Sequence, residues 1–208
     1  MRKFTATLST AALIALGAVP TFASAAPVVM GFEGVTADSD QIVPVTPHTE
    51  GGYTLTNLNP GDFNDGIFGK NASNSNGSAT FVFCAYDSTC FSGTSIKLTG
   101  GAPFTLKSLD VGNWETGGPA GTLELIGSVL GGGTVTAVLG TGDAWATHLL
   151  SGFDNLLSVE FRGHTAYAVA IDNLVLDLSP GRVPEPGSLA LAALALAGVG
   201  LSARRRIG

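Results

Sequence analysis

Short runs in which apolar and polar residues alternate fill the middle of the chain, and they constrain its fold more than any other feature. Between Pro27 and Asp177 no stretch has the spacing of an amphipathic helix. In residues 80–83, Phe81 and Phe83 share one face of an extended chain, and Thr80 and Val82 share the other. Gly, Asn, Asp, Ser and Pro separate the runs, and the 29 glycines fit this punctuation. The pattern predicts an all-β chain folded as an antiparallel β-sandwich.

Ten segments have the strand pattern, and two polar stretches do not. The segments are 28–32, 52–58, 79–85, 95–98, 105–112, 122–130, 134–139, 147–150, 157–161 and 166–178. Gly131-Gly132-Gly133 is expected to form the turn between two of them. Residues 35–50 and 59–78 are rich in polar or turn-forming residues and are predicted to be loops.

Residues 1–25 have the three parts of a secretory signal peptide. Arg2 and Lys3 form the positive region, residues 8–19 form the apolar region, and Ala23-Ser24-Ala25 fits the small-x-small cleavage rule. We therefore expect the mature chain to begin at Ala26, with residues 26–178 as its folded domain. The alternative is an uncleaved anchor, which the short apolar run disfavours.

A short rigid motif follows the domain. Residues 179–187 are expected to be a linker that contains Pro184, Glu185 and Pro186. The two prolines lack backbone donors and hold their neighbours in an extended conformation, so that Glu185 would be displayed to a partner.

An apolar run and a basic end complete the chain. Residues 188–203 would cover about 24 Å as a helix, near the lower bound for crossing a bilayer. Arg204, Arg205 and Arg206, in the segment 204–208, would lie in the cytoplasm and stop transfer. A buried core helix is the alternative, but the run has no polar face and ends in three arginines.

The charge of the domain excludes some partners. Residues 26–183 contain five basic and fifteen acidic residues, a net charge of −10 against −6 for the whole chain. Nucleic acids and anionic lipids need clustered Lys and Arg, and the five cations here are scattered. We therefore expect binding neither to nucleic acid nor to anionic lipid.

Cys84 and Cys90 are the two cysteines of the chain. In an oxidising compartment a local disulfide across residues 85–89 is expected. The chain-entropy model assigns so small a loop about 2–2.5 kcal/mol. A zinc site is disfavoured because the spacing is not C-x2-C and no histidine lies nearby.

The tail resembles a known sorting signal. Pro184-Glu185-Pro186, the short apolar run and the terminal arginines together resemble the PEP-CTERM signal of Gram-negative bacteria, a tail also catalogued as an ice-binding-protein C-terminal domain. The resemblance implies recognition by exosortase, a membrane protease, with this chain as its substrate. It also implies export across the inner membrane by the secretion machinery, transient anchoring with the domain in the periplasm, and delivery to the cell surface or the exopolysaccharide matrix.

The domain is similar to jelly-roll modules of the carbohydrate-binding type. The likeness lies in an early Gly31-Phe32-Glu33-Gly34 and in residues 170–176, which contain Asp172. It implies a sandwich whose first and last strands are neighbours, with a structural calcium held by Glu33 and Asp172. A hard cation binds several oxygens, which carboxylates on paired strands can supply. The alternative is that Asp172 and the following asparagine only cap or turn a strand.

No catalytic constellation is evident. His48, His148 and His164 lack metal-ligand spacing, and the chain has no G-x-S-x-G, H-E-x-x-H or P-loop motif. Carboxylates that could in principle hydrolyse glycosides are Asp62, Asp65 and Glu115. Nothing distinguishes them from solvated loop residues, so we expect that the chain is not an enzyme. The structural calcium is the one cofactor that the sequence suggests.

Three aromatic residues near turns are candidates for sugar binding. Trp114 and Trp145 lie in Gly- and Asp-containing stretches, and Tyr86 lies between the two cysteines. Exposed aromatic faces flanked by polar groups hold sugar rings. Taken singly, each fits a core or rim residue better than a binding residue, and only the three together indicate sugar binding. The sequence thus favours an exported protein that binds polysaccharide, with a purely structural surface component and an extracellular hydrolase as alternatives.

Overall fold

A computed structural model of the chain describes residues 26–37, 43–44, 47–58, 66–70, 75–84, 96–113, 116–118, 120–163 and 168–178. These ranges contain eleven β-strands and no helix. The strands are β1 (Val28–Met30), β2 (His48–Glu50), β3 (Tyr53–Asn57), β4 (Gly66–Phe68), β5 (Thr80–Cys84), β6 (Ile96–Asn113), β7 (Gly121–Val129), β8 (Thr134–Thr141), β9 (Ala146–Leu149), β10 (Leu156–Gly163) and β11 (Ala168–Leu178). The all-β prediction is confirmed for this part of the chain.

The strands form two layers that share β6, and all their pairings are antiparallel. The first part of β6 pairs with β3 and β10, and the second part pairs with β11 and β9. Sheet 1 therefore consists of β2, β3, the first part of β6, β10, β7 and β8. Sheet 2 consists of β4, β5, the second part of β6, β9, β11 and β1. Strand β1 pairs with the later part of β11, on the same side on which β5 pairs with its earlier part. This is the antiparallel sandwich of jelly-roll type that the sequence predicted.

The first and last strands are neighbours, as expected. Val28 lies opposite Leu176, and Met30 lies opposite Leu174. The beginning of the domain and its end are therefore held together at one edge of sheet 2.

The core lies between the two sheets, because alternate side chains of each strand point inward. Leu55, Leu125 and Phe161 from sheet 1 pack with Phe81 and Ile171 from sheet 2 in one fully buried cluster. Burying a side chain of this size contributes about 1.5–3 kcal/mol, so the alternation seen in the sequence is also the main source of stability.

Strand β6 is one element where the sequence suggested two segments, 95–98 and 105–112. Ile96 lies opposite Phe161 on β10, and Asn113 lies opposite Val169 on β11. Because β10 and β11 follow each other along the chain, both ends of β6 lie at the same end of the sandwich, and the strand must fold back between them. It does so near Gly100, where a methyl group would lie 3.2 Å from two ring carbons of Tyr53. Glycine at such a bend is typical of a strand that changes sheets.

Strands β2 and β4 lie in the stretches that were predicted to be loops, and these predictions were wrong at those positions. Each strand has only three residues, too few for alternation to be visible. A local signal for β2 did exist. Gly51 and Gly52 join it to β3 with φ of 58° and 87°, the backbone of a hairpin turn that favours Gly-Gly. The turn at 131–133 is confirmed, and its three glycines all have positive φ.

Within the described residues, no helix is long and apolar enough to cross a membrane. The signal peptide, the linker 179–187, the apolar run 188–203 and the basic end 204–208 lie outside these residues.

Candidate functional site

The outer face of sheet 2 is built from residues that alternate with the core. Val82 on β5, Ala170 on β11 and Gly112 on β6 lie side by side across three strands. Val82 and Ala170 form a small second hydrophobic cluster with Phe68 of β4. A row of such small side chains leaves room for a larger group above the sheet.

Trp145 occupies that room. It precedes β9 and packs against the second cluster, with its indole directly over Gly112. A methyl group at Gly112 would lie 2.8 Å from ring carbons Cδ2 and Cε2, so only glycine allows this approach. Trp145 is half-buried. It is therefore a rim residue, which covers the sheet and stays partly accessible to solvent. We call this surface, with the polar row described next, the Trp145 face.

A polar row lies beside Trp145 on the same face, two residues further along the strands. Asp172, Asp110 and Thr147 are opposite one another on β11, β6 and β9. Asp110 Oδ1 accepts a hydrogen bond from Thr147 Oγ1 at 2.5 Å, and Asp110 Oδ2 accepts one from Asn173 Nδ2 at 2.9 Å. Thr147 is exposed and Asp110 is half-buried, so both can be reached from outside.

Asp172 is fully buried and held by two amide side chains. Its Oδ2 accepts hydrogen bonds from Asn76 Nδ2 at 2.7 Å and from Asn173 Nδ2 at 3.1 Å, and its Oδ1 accepts one from the Asn173 backbone N–H at 2.7 Å. Burial raises the pKa of this carboxyl from 3.8 to about 6, although the hydrogen bonds from Asn76, Asn173 and Ser78 oppose the rise.

Glu33 lies on a corner that another carboxylate holds in place. Phe32 has φ of 63°, a left-handed backbone unusual for a bulky residue. Glu50 stabilises this corner, because its two oxygens accept the backbone N–H groups of Gly31 at 3.2 Å and Phe32 at 3.0 Å. Glu33 Oε1 then accepts hydrogen bonds from Ser78 Oγ and from the Ala79 N–H at 3.1 Å. The Ser78 hydroxyl bond is the main cause that lowers the Glu33 pKa.

Glu33 and Asp172 both approach the turn at residues 75–79. Ser78 hydrogen-bonds Glu33 and also lowers the pKa of Asp172, while Asn76 bonds Asp172. The groups here that could bind a metal ion would do so through oxygen atoms, which suits a hard cation. Among the described residues, however, no three His, Cys, Asp or Glu side chains are grouped as metal ligands. Two carboxylates are thus available here, and further ligands would have to be neutral oxygens.

Several predicted residues are not gathered at this site. His48 lies in sheet 1, 3.2 Å from Glu50 Oε2, whereas His148 lies in sheet 2. Outside the described residues lie Trp114, Tyr86, Cys90, His164, Asp62, Asp65, Glu115 and the tail residues 184–186 and 204–206. The backbone of Cys84 ends β5, and the predicted disulfide stays a prediction.

Sequence reasoning missed Asp110, Asn76, Ser78 and Gly112. A signal for two of them is present, because Asp110 and Gly112 alternate with Leu109 and Val111, which are buried in the core. Polar or absent side chains between two core positions mark an outer face. No local signal distinguishes Asn76 or Ser78, since Asn76 bonds Asp172, which lies 96 residues later, and Ser78 bonds Glu33, which lies 45 residues earlier.

The opposite face of the sandwich differs in chemistry. On the outer face of sheet 1, Thr54, Thr99, Ser158 and Ser128 form a row of hydroxyls across four strands. The outward positions of β3, β6, β10, β7 and β8 in the described part of sheet 1 carry no aromatic ring. The Trp145 face is therefore the better candidate for binding a ring-shaped ligand.

Comparison with known proteins bears on the tail and on the fold. Residues 182–206 match the model of the PEP-CTERM protein-sorting motif. No curated protein matches the chain. A variant of the family 29 carbohydrate-binding module CBM29-2 is 12% identical with a TM-score of 0.43, over 78% of this chain and 99% of that chain. The CBM22-1 xylan-binding domain from Paenibacillus barcinonensis Xyn10C is 13% identical with a TM-score of 0.42, over 75% of this chain and 97% of that chain. The chain thus carries a PEP-CTERM protein-sorting motif at residues 182–206, C-terminal to an all-β sandwich that is similar to these modules.

Proposed function

We propose that this chain is a non-enzymatic exported protein that binds an extracellular polysaccharide on the Trp145 face. The observation that carries the proposal is the position of the Trp145 indole over Gly112, beside the reachable polar groups of Asp110 and Thr147. The sorting motif supports export, because it is a signal of exported, membrane-processed proteins.

The arrangement suits a sugar for a physical reason. One side of a pyranose ring carries C–H groups that pack on an aromatic face, and its edge carries hydroxyls that need hydrogen-bond partners. Trp145 offers the aromatic face. The Asp110 carboxylate and the Thr147 hydroxyl lie about 7 Å away along the strand, within reach of the hydroxyls of the same or the next sugar.

Binding experiments test this proposal. The mature chain is titrated with a panel of soluble polysaccharides, including β-glucans and xylans, and Trp145→Ala is compared with Leu149→Ala. Leu149 ends β9, the strand that follows Trp145, and is 85% exposed, so it controls for a lost apolar side chain. Removing an aromatic anchor costs at least about 1.4 kcal/mol, so we expect binding at least tenfold weaker for Trp145→Ala and no change for Leu149→Ala.

Two results would contradict the proposal. If the wild type binds no polysaccharide in the panel, a purely structural surface component is the better description. If binding is present but Trp145→Ala leaves it unchanged, the site lies elsewhere, and Trp114→Ala and Tyr86→Ala then test the two other predicted aromatic residues.

A hydrolase is less well supported at this site. Asp110 and Asp172 face each other on adjacent strands, and a carboxyl with a pKa of about 6 is what a general acid needs. Asp172 is nevertheless 0% exposed, and its oxygens accept bonds from Asn76 and Asn173. A fully buried carboxyl cannot reach a glycosidic bond, so we assign Asp172 a structural role.

We also propose that Glu33 and Asp172 hold a structural calcium. The support is their convergence on Ser78 and the burial of Asp172, whose charge a cation would neutralise. Calcium at about 100 times its dissociation constant would stabilise the fold by about 2.7 kcal/mol. We expect chelation to lower the melting temperature of the wild type but not of Glu33→Gln, with Glu124→Gln on sheet 1 behaving as wild type. An unchanged wild-type melting temperature would refute the site.

A further inference from the structure

Strand β8 forms an edge of sheet 1 that is long and regular. It pairs with β7 along its whole length without a shift of register, and no described strand pairs with its other side. Its eight residues include neither a charged residue nor proline. Proteins usually protect an edge with charge, proline, a bulge or a short strand, because the unpaired backbone groups bind other strands. Strand β8 has none of these protections.

The other edges of the described sandwich are short. Besides β8, the strands that form a ladder with a single neighbour are β1, β2, β4 and β9. Three of them have three residues each, and β9 has four. Among the described strands, β8 is therefore the edge that is long enough to pair with a further strand.

The hairpin between β7 and β8 fixes which backbone groups are free. The Val129 N–H donates to the Gly133 carbonyl at 3.1 Å. In an antiparallel ladder alternate residues bond the same neighbour, so every second residue after Gly133 directs its N–H and C=O groups to β7. The residues between them direct these groups to the free edge, and they are Thr134, Thr136, Val138 and Gly140. All four are exposed, Val138 to 58%.

These four residues are complementary to a second copy of themselves. When two β8 strands run antiparallel with Ala137 opposite Ala137, Thr136 lies opposite Val138 and Thr134 lies opposite Gly140. Each of these pairs can exchange both N–H···O bonds. This register uses all the free residues of both copies, whereas a shift in either direction leaves some of them unpaired.

The side chains fit the same register. On the outer face Thr136 packs beside Val138 of the second copy, a pair of β-branched side chains that stabilises a sheet. On the symmetry axis lies Ala137, whose methyl group packs partly buried against the core. The two Cα atoms there would be about 4.5 Å apart, a distance that suits a small side chain. No like charges meet, because residues 125–142 contain no charged residue.

We propose that two copies of this chain associate through β8, antiparallel about Ala137, so that their copies of sheet 1 become one continuous sheet. The contact is isologous, since the same surface of both copies takes part. It closes at the dimer because it uses both long edges, and the short edges that remain do not extend the assembly.

The symmetry has a consequence for ligand binding, which rests on the proposed function. Opposite residues of an antiparallel pair point to the same side of a sheet. The inner faces of both copies of sheet 1 therefore lie on one side, and each is covered by its own sheet 2. The dimer then presents two Trp145 faces on that side, so that one polysaccharide surface can be bound twice.

Charge substitutions at the edge test the pairing. Sedimentation of the mature chain is measured in neutral detergent, with micelles in excess, at about 0.15 M salt, where the Debye length is about 8 Å. We expect the wild type to be dimeric. In Thr136→Lys/Val138→Lys each lysine lies opposite a lysine of the second copy, so we expect a dissociation constant at least about tenfold higher. The control Val29→Lys/Leu178→Lys adds the same charge at sites 49% and 41% exposed on other strands and should remain dimeric.

A mixing experiment uses the opposite charge. Thr136→Glu/Val138→Glu should also be monomeric alone, but an equimolar mixture with the lysine variant should form heterodimers, because each lysine then lies opposite a glutamate. A monomeric wild type, a lysine variant that dimerises as well as the wild type, or a mixture that stays monomeric would overturn the proposal. Association through the apolar run 188–203 would give the second of these results.

Cysteine cross-linking tests the register. The two copies of Ala137 lie within the Cα separation of a disulfide, so Ala137→Cys should form a covalent dimer on mild oxidation. The two copies of Thr136 are offset by about 7 Å along the strands, too far for a disulfide, so Thr136→Cys should not. The wild type, oxidised in the same way, measures any cross-link through Cys84 or Cys90. No covalent dimer of Ala137→Cys, or an equal yield from Thr136→Cys, would overturn the register. No polysaccharide is present in these measurements, so they decide the dimer independently of the proposed function.

Discussion

Asp172 gives the sharpest test of the structure, because a buried carboxyl makes the stability of the fold depend on pH. The side chain is 0% exposed, and burial raises its pKa from 3.8 to about 6. The folded state then holds a proton at this group that the unfolded chain has already released. The stability that Asp172 contributes is fully present below pH 3.8 and is lost as the pH rises through about 6.

The size of the effect follows from the two pKa values. Each pH unit between them is worth about 1.4 kcal/mol, so the full difference is about 3 kcal/mol. About 2 kcal/mol of it should appear between about pH 7.5 and about pH 4.5. This is a substantial part of the 5–15 kcal/mol that typically stabilises a domain.

The assay compares urea unfolding of the wild type with that of Asp172→Asn, in the presence of a chelator. The asparagine oxygen can accept the bonds from the Asn76 and Asn173 side chains, whereas its amide nitrogen cannot accept the Asn173 backbone N–H. This loss does not vary with pH, because the asparagine carries no charge and does not titrate. The difference in unfolding free energy, wild type minus variant, removes the contribution of all other groups. We expect it to increase by about 2 kcal/mol on acidification over this range.

A difference that is flat with pH, or that decreases on acidification, would refute the burial argument. Calcium provides a further arm. A bound cation keeps Asp172 ionised, so saturating calcium should remove the pH dependence if the proposed site exists. Persistence of the dependence in calcium would leave the burial argument intact and count against the metal.

Three further predictions concern other parts of the chain. Gly112→Ala should displace the indole of Trp145 and weaken polysaccharide binding, because the methyl group would lie 2.8 Å from the ring. Gly140→Ala, at a site with no atom within 4 Å, should do neither, and unchanged tryptophan fluorescence and binding in Gly112→Ala would refute the contact. Cys84→Ser should lower the unfolding free energy by about 2–2.5 kcal/mol if the disulfide with Cys90 forms, and free thiols in the native protein by mass spectrometry would refute it. Glu185→Gln should block removal of the tail in cells that contain exosortase, and a normally processed C-terminus in mass spectra would contradict the role of the motif.

The sandwich could be predicted from the sequence because its core positions alternate over long strands. Phe81, Phe83, Leu123 and Leu125 lie where the period of two placed them, and all four are buried. The short strands β2 and β4 could not be found in the same way, because three residues contain no period, and their pairing depends on partners elsewhere in the chain. The fold-back of β6 was also hidden, since Gly100-Gly101 indicates a break but not which sheet each half joins.

The candidate site could be predicted only in part. The resemblance to carbohydrate-binding jelly rolls implied that Glu33 and Asp172 lie together, and in the structure both approach the 75–79 turn. Asp110 joins them through a pairing between strands that lie about 60 residues apart, which no local pattern encodes. The position of Trp145 over Gly112 likewise depends on the alignment of β9 with β6.

An irregularity of β11 explains how Asp172 faces outward while Ile171 and Leu174, on either side of it, face the core. Ile171 and Leu174 both point into the core, which a regular strand cannot achieve because three positions separate them. Asn173 absorbs the extra residue: it has φ of 47°, and the register with β6 shifts beside it. This bulge lets Asp172 face outward next to Asp110 while the following leucines return to the core. The Asn173 side chain then bonds both Asp110 and Asp172, so the residue that distorts the strand also connects the two carboxylates. Asp172 and Asn173 were expected either to turn a strand locally or to belong to a site. The two interpretations do not exclude each other, because the bulge positions the polar row beside Trp145.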